Sequence, residues 1–351
     1  MKRRALFLAP LLLAACNRPQ GTTAPSPTPA AASSSAPSTS PAAPAAVKVG
    51  LVFDIGGRGD NSFNDSADRG LERAKKELGA EVEVLEPGDG SDRESALRQL
   101  ASKNPDVVFG VGFLFTDDVN RVAADFPKVH FACVDYTVDP KKPIPPNVAA
   151  LKFKEEEGSF LVGALSALVS KTHKVGFVGG MEIPLIKKFE AGFKAGVAAI
   201  DPKTGVMVKY AGVTGDAFKN PAKGKELALA IYGQGADVIF HASGSTGQGV
   251  FTAAKEQNKL AIGVDSDQQA LAPGHVLTSM VKHVDVAVFE TVKAAKAGKF
   301  QAGVQTFDLK SGGVDYVYDD KNKALIPDAA RAKVEELRGK IVGGQIQVPY
   351  E

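Results

Sequence analysis

From Val47 onward the chain alternates short β-branched and aromatic runs with amphipathic stretches, and few architectures accept that order. The strand-like runs are 48–53, 80–85, 106–112, 129–135, 174–179, 207–212, 237–243, 260–265 and 276–282. Helical stretches such as 64–78, 91–103, 116–125, 155–170, 185–200, 220–234 and 247–257 lie between them. Strands such as DVVFGVG and DVIFHAS are apolar on both faces, so both faces must be covered. Parallel sheets covered by helices satisfy this, and the predicted fold class is α/β.

The alternation repeats itself. Lys48-Val49-Gly50 opens one βα unit and Lys174-Val175-Gly176 opens another. Thirteen residues beyond these glycines stand Phe63 and Phe189, and seven further stand Gly70 and Gly196, a doubled G-x12-F-x6-G pattern. This implies two similar doubly wound lobes, each placing a phenylalanine where the loop after its first strand enters a helix. Open α/β sheets bind ligands outside the carboxyl ends of their strands. Two lobes facing each other across a pseudo-two-fold axis would therefore bring both rings into one cleft as an aromatic sandwich.

Composition excludes several alternatives. With 44% hydrophobic and 23% charged residues in 351, the bulk of the chain can bury a core. Basic and acidic residues number 42 and 40, and removal of Lys2, Arg3 and Arg4 leaves 39 against 40, so charge does not point to nucleic acid. Cys16 and Cys133 are the whole cysteine inventory, too few for a disulfide framework or a multi-thiol metal site. Cys133 reads as a small buried hydrophobe. No H-E-x-x-H, C-x-x-C, G-x-S-x-G or Walker A pattern occurs, and GGRGD after the first strand lacks dinucleotide-loop spacing. No catalytic residue, metal or cofactor is expected. Lys75-Lys76 and Lys187-Lys188 read as solvated helix faces.

Residues 1–15 have a basic start and an apolar run of eleven residues, Ala5 to Ala15. That run cannot cross roughly 30 Å of hydrocarbon and reads as a signal peptide. Leu13-Ala14-Ala15-Cys16 resembles the bacterial lipobox, which implies cleavage before Cys16 and lipidation of its side chain. Residues 16–46 are then a Pro/Ser/Ala-rich tether carrying Arg18 as its one charge, extending up to about 3.1 Å per residue.

The stretch VGLVFDIGGRGDNSFNDSADRGLERAKKEL, with Asp54, Gly56, Gly57, Asp60, Ser62, Phe63 and Asn64 at the signature positions, resembles the basic membrane protein family of lipoproteins. The similarity continues through 47–351 in EEEGSFLVGALSAL, KKFEAGFKAGV and IGVDSDQ. It implies a type I periplasmic-binding-protein fold, with lobes 47–151 plus 281–303 and 152–280 plus 304–351. It also implies a monomeric substrate-binding lipoprotein, anchored at the cell membrane facing the periplasm or the exterior. Such a protein delivers purine nucleosides to an ABC permease and its ATPase.

A nucleoside needs a clamp for its flat base, polar groups for the base edge and acceptors for its hydroxyls. Phe63 and Phe189 would form the clamp. Asn64 can donate and accept at a purine edge, or serve as a helix N-cap. Asp54 ends the first strand facing the crevice, or shapes the GGRGD turn. Asp135 ends VHFACVD, where it contacts ligand or orders the crossing. The resemblance places Asp265 and Lys282 on the ribose, and a salt bridge between them is the structural alternative. Gly244 would let backbone amides approach the ligand. A signalling lipoprotein without a permease, a sugar or free-base binder, and a nucleoside hydrolase are the competing readings.

Overall fold

The computed structural model describes residues 46–86 and 91–351. In chain order the elements are β1 (Lys48–Val52), α1 (Phe63–Leu78), β2 (Glu81–Leu85), α2 (Arg93–Ala101), β3 (Val107–Val111), α3 (Thr116–Asp125), β4 (His130–Val134) and β5 (Val148–Phe153). Then come α4 (Glu155–Val169), β6 (Lys174–Met181), α5 (Pro184–Ile200), β7 (Gly205–Gly212), α6 (Pro221–Gly233), β8 (Val238–Ala242), α7 (Gly247–Gln257), β9 (Leu260–Asp265) and β10 (Val276–Lys282). The chain finishes with α8 (Val284–Lys296), β11 (Gly303–Phe307), β12 (Val314–Tyr316) and α9 (Asp328–Val342).

These strands form two six-stranded sheets of one topology, β2-β1-β3-β4-β5-β11 and β7-β6-β8-β9-β10-β12. Every pairing is parallel except β10 with β12. The α/β class and its doubly wound parallel sheets are thus as the alternation predicts. The central strands β3 and β8 are buried along their whole length, which is why they read as unbroken apolar runs.

The doubled glycine pattern has a packing cause. Gly50 on β1 lies under Leu100 of α2, and Gly176 on β6 lies under Ile231 of α6, in equivalent places of the two sheets. Gly70 and Gly196 let helices touch backbone to backbone: a Cβ on Gly70 would stand 2.6 Å from the Asp285 carbonyl oxygen, and one on Gly196 would stand 2.0 Å from that of Phe160. The helix pairs α1/α8 and α5/α4 close on these glycines. Gly196→Ala must force α4 and α5 apart, and is expected to lower the unfolding free energy by about 1–3 kcal/mol, measured by urea denaturation.

β5, β11 and β12, with α8 and α9, fall outside the runs read from the sequence. β12 is a three-residue edge strand, too short for periodicity to detect, whereas β5 has six residues but directly follows the proline-rich segment 140–146, which reads as loop. The crossings expected near 151, 280 and 303 fall within β5, within β10 and at the start of β11. Ladder hydrogen bonds carry each strand onward, so Gly303–Phe307 pairs with β5 in the first sheet. Phe63 is the first residue of α1, as expected. Phe189 instead lies on the second turn of α5, because Pro184 starts that helix five residues earlier.

Among the described residues no helix is long and apolar enough to cross a membrane, and no cluster could hold a metal ion. Cys133 is buried and free. Cys16 and most of the tether lie outside the described residues.

Candidate functional site

In each sheet the strand order reverses between two neighbouring strands, β1 and β3 in one and β6 and β8 in the other. The carboxyl ends at these two reversals face each other across a cleft enclosing about 610 Å³, its mouth included. Asp54, Phe63, Asn64, Asp135, Phe189, Gly244, Asp265 and Lys282 all line it. Asp60, Phe113, Phe218 and Ser243 line it as well. The rule that points to Asp54 and Asp265 applies equally to Phe113, which follows β3. Phe113 and Phe218 meet edge to face with ring centroids 6.4 Å apart, one ring from each sheet's half of the molecule.

The signature D-x-S-F-N is a capping loop. The Asp60 carboxylate accepts the backbone N–H groups of Ser62 at 2.8 Å, Asn64 at 2.8 Å and Asp65 at 3.1 Å, taking up orphan donors at the start of α1. Asn64 therefore lies inside the helix rather than at its N-cap, which is Ser62, and the capping acceptor is the Asp60 carboxylate. Asn64 ties the loop to β1: its Oδ1 accepts the Asp54 N–H at 2.9 Å, and its Nδ2 donates to Asp60 at 3.2 Å. Asp54 itself crowds against Gly112, whose φ of 104° and missing side chain leave room for the carboxylate.

The halves touch through this loop. Ser62 Oγ donates to Asp265 at 2.6 Å, Ser266 Oγ donates to the Ser62 carbonyl at 2.8 Å, and Gln268 Nε2 donates to the Asn61 carbonyl at 3.0 Å. Asp135 and Asp265 occupy equivalent strand ends after β4 and within β9. Both hold φ near +60°, at 60° and 64°, a backbone state uncommon for residues other than glycine. Each of these aspartates reaches a donor from the opposite half.

Lys282 is the centre of the charge. Only 1% exposed, its ammonium lies 2.6 Å from Asp135 and 3.2 Å from Glu155. The rings of Phe63, Phe153 and Phe189 surround it, with centroids 5.1, 5.0 and 5.6 Å from Nζ. Asp265 is not its direct partner, which corrects the salt-bridge alternative. The chain turns Asp135 towards Lys282 across the cleft and gives Asp265 to Ser62. The ion network continues through Glu155 to Lys188, which also lies 3.2 Å from Glu156. Lys188 thus points inward from α5, contrary to the solvated face expected of Lys187-Lys188. Glu155 is a site residue that the sequence does not single out, since nothing in the run Glu155-Glu156-Glu157 marks which glutamate turns inward.

Burial would pull the Lys282 ammonium down, but the carboxylates of Asp135, Glu155 and Asp265 outweigh it and hold it up, fully protonated. Burial pushes Asp54 up to about 7 and Asp265 up to about 6. Both fold in with protons that the unfolded chain releases near pH 4. Their contribution to stability therefore falls as pH rises from about 4 to about 7. Asp54→Asn is expected to gain melting temperature over the parent progressively across that window and no further above it. A constant difference from pH 4 to pH 8 in a thermal-shift series would refute this.

Two doubly wound sheets of one order, facing across a mixed aromatic and acidic cleft, define a periplasmic-binding-protein-like solute-binding protein. The chain belongs to the Bmp family, described as ABC transporter substrate-binding protein PnrA-like, which matches residues 46–351. A CD4+ T-cell-stimulating antigen of Listeria monocytogenes is 38% identical over 325 residues, covering 86% of this chain and 87% of its own. The ABC transporter nucleoside-binding protein BmpA of Lactococcus lactis is 33% identical over 84% of this chain and 88% of its own. An ABC transporter solute-binding protein of Aeropyrum pernix superposes with a TM-score of 0.79 at 29% identity, covering 87% of this chain and 94% of its own. The family is one of solute-binding proteins that serve ABC transporters.

Proposed function

We propose that this chain captures purine nucleosides in the cleft between two lobes and presents them to an ABC permease and its ATPase. The observation that carries the reading is that Phe63 and Phe189, from opposite halves, line one cleft and flank one ammonium. Two such rings suit the faces of a purine, at roughly 1–3 kcal/mol per stacking contact. The carboxylate of Asp265 can accept ribose hydroxyls, and Asp54 and Asn64, which line the same cleft, carry polar groups of the kind a base edge needs. The nucleoside-binding relative from Lactococcus lactis supports the same ligand class.

The lobes are the first sheet with α1, α2, α3 and α8, and the second with α4, α5, α6, α7 and α9. The hinge is the three passages of chain between sheets after β5, β10 and β11. Ligand would stabilise the closed arrangement, whose outer faces the permease would recognise. The body would be monomeric, held by lipidated Cys16 through the tether of residues 16–46, facing the periplasm or the exterior. Labelled palmitate incorporated into the parent but not into Cys16→Ala checks the anchor.

A thermal-shift panel of nucleosides, free bases and pentoses tests the ligand. Nucleosides are expected to raise the melting temperature with concentration, the added unfolding free energy reaching about 2.7 kcal/mol at one hundred times Kd. Stabilisation by pentoses alone overturns the ligand and leaves the fold intact.

A further inference from the structure

β8 carries a buried histidine, His241, that takes no part in the ion network. Its ring is boxed in. A Cβ on Gly247 would lie 2.0 Å from Cε1, and the Phe251 ring meets it edge-on at 5.1 Å. An imidazole held so firmly has its protons dictated by its neighbours.

Those neighbours leave one solution. Gln268 Oε1 accepts the Val264 backbone N–H at 2.8 Å, while Gln268 Nε2 donates to the Asn61 backbone carbonyl at 3.0 Å. A backbone N–H can only donate and a carbonyl can only accept, so the amide has a single orientation. His241 Nε2 lies 3.1 Å from the same Oε1 and therefore carries the ring proton. Burial pushes the imidazole down to about 4, so the ring is neutral at ordinary pH and Nδ1 keeps its lone pair. Ser243 Oγ, 3.4 Å from Nδ1, donates its hydrogen there. Ser243 lines the cleft beside Gly244, and with its one hydrogen engaged its oxygen offers only lone pairs.

We propose that Ser243 is a specificity-determining residue of the cleft, held as an obligate acceptor by His241 and Gln268, and that it selects ligands presenting a hydroxyl or amino donor to it. The choice of ligands for the test rests on the nucleoside reading, whereas the acceptor state does not. His241 is a positioning residue.

Two measurements on the full chain decide the matter. Nitrogen-15 spectra of His241 without ligand are expected to show protonated Nε2 and unprotonated Nδ1, and the opposite tautomer overturns the proposal. Calorimetry would then compare inosine with its 2′-, 3′- and 5′-deoxy analogues, and adenosine with purine riboside. The parent is expected to bind one analogue, lacking a single donor, about tenfold or more weakly than its complete counterpart. Ser243→Ala is expected to bind that counterpart about tenfold more weakly and to lose the distinction. A Ser243→Ala protein that still discriminates as the parent does refutes the assignment. Failure of the parent to bind any of these nucleosides sinks the ligand reading instead, and the tautomer still decides the acceptor state.

Discussion

Replacing Lys282 with methionine is expected to lower the unfolding free energy by about 3–5 kcal/mol at neutral pH, because one buried ammonium serves several buried carboxylates. In the parent it touches Asp135 and Glu155 and is held protonated by them together with Asp265. A methionine of similar length fills the space between the phenyl rings but leaves those carboxylates without their partner. They can escape only by taking up protons. The variant should therefore approach the parent near pH 4, where the unfolded carboxylates are themselves half protonated, and diverge from it as pH rises to neutrality. Lys282 itself, with its pKa raised, contributes fully below its ordinary range near 10 and loses its contribution only as pH climbs beyond that. Combining Lys282→Met with Asp135→Asn should recover part of the loss, since the two sites share one interaction. Urea titrations at pH 4 and pH 7 measure all of this. A difference below about 1 kcal/mol that does not change with pH would mean that the network is solvated.

Phe63→Ala is expected to weaken nucleoside binding about ten- to a hundredfold while the unliganded protein keeps most of its stability, because the ring is half-buried at the mouth of α1. Phe189→Ala should cost affinity on the same scale and also about 3–5 kcal/mol of stability. Spacing alone casts the two rings as equals, each spared from the core. The structure separates them. Phe189 is 3% exposed and packs towards Phe240, with centroids 6.5 Å apart, so its inner edge belongs to the core and its outer edge to the cleft. Calorimetry paired with urea unfolding distinguishes the two variants. Equal affinity losses with unequal losses of stability are the expected pattern, and an unchanged affinity in Phe63→Ala would remove the clamp.

The reach of the sequence follows from what is locally encoded. Alternation of apolar runs and amphipathic stretches is imposed by the pairing and packing of each element, so it survives in the one-dimensional chain and specifies two parallel sheets. The residues that end β1, β4, β9 and β10 lie at the carboxyl edge by construction. Asp54, Asp135, Asp265 and Lys282 were therefore legible as crevice residues, and the doubled spacing added Phe63 and Phe189. Phe113 was open to the same reading, since it too follows a strand, but a phenylalanine in an apolar run carries no polarity to mark it.

Partnership is another matter. Asp135 meets Lys282 across 147 residues, and Ser62 meets Asp265 across 203, distances over which a chain leaves no periodic trace. Lys188 reads as an ordinary solvated charge, yet it is drawn inward by the buried Glu155. The sequence by itself determined the strands, their carboxyl ends and the residue types presented there, because these depend on side-chain direction and burial within a few residues. Only the tertiary structure decided which charge faces which, because that is set by how two sheets dock across a cleft. Docking brings together groups that share no local geometry.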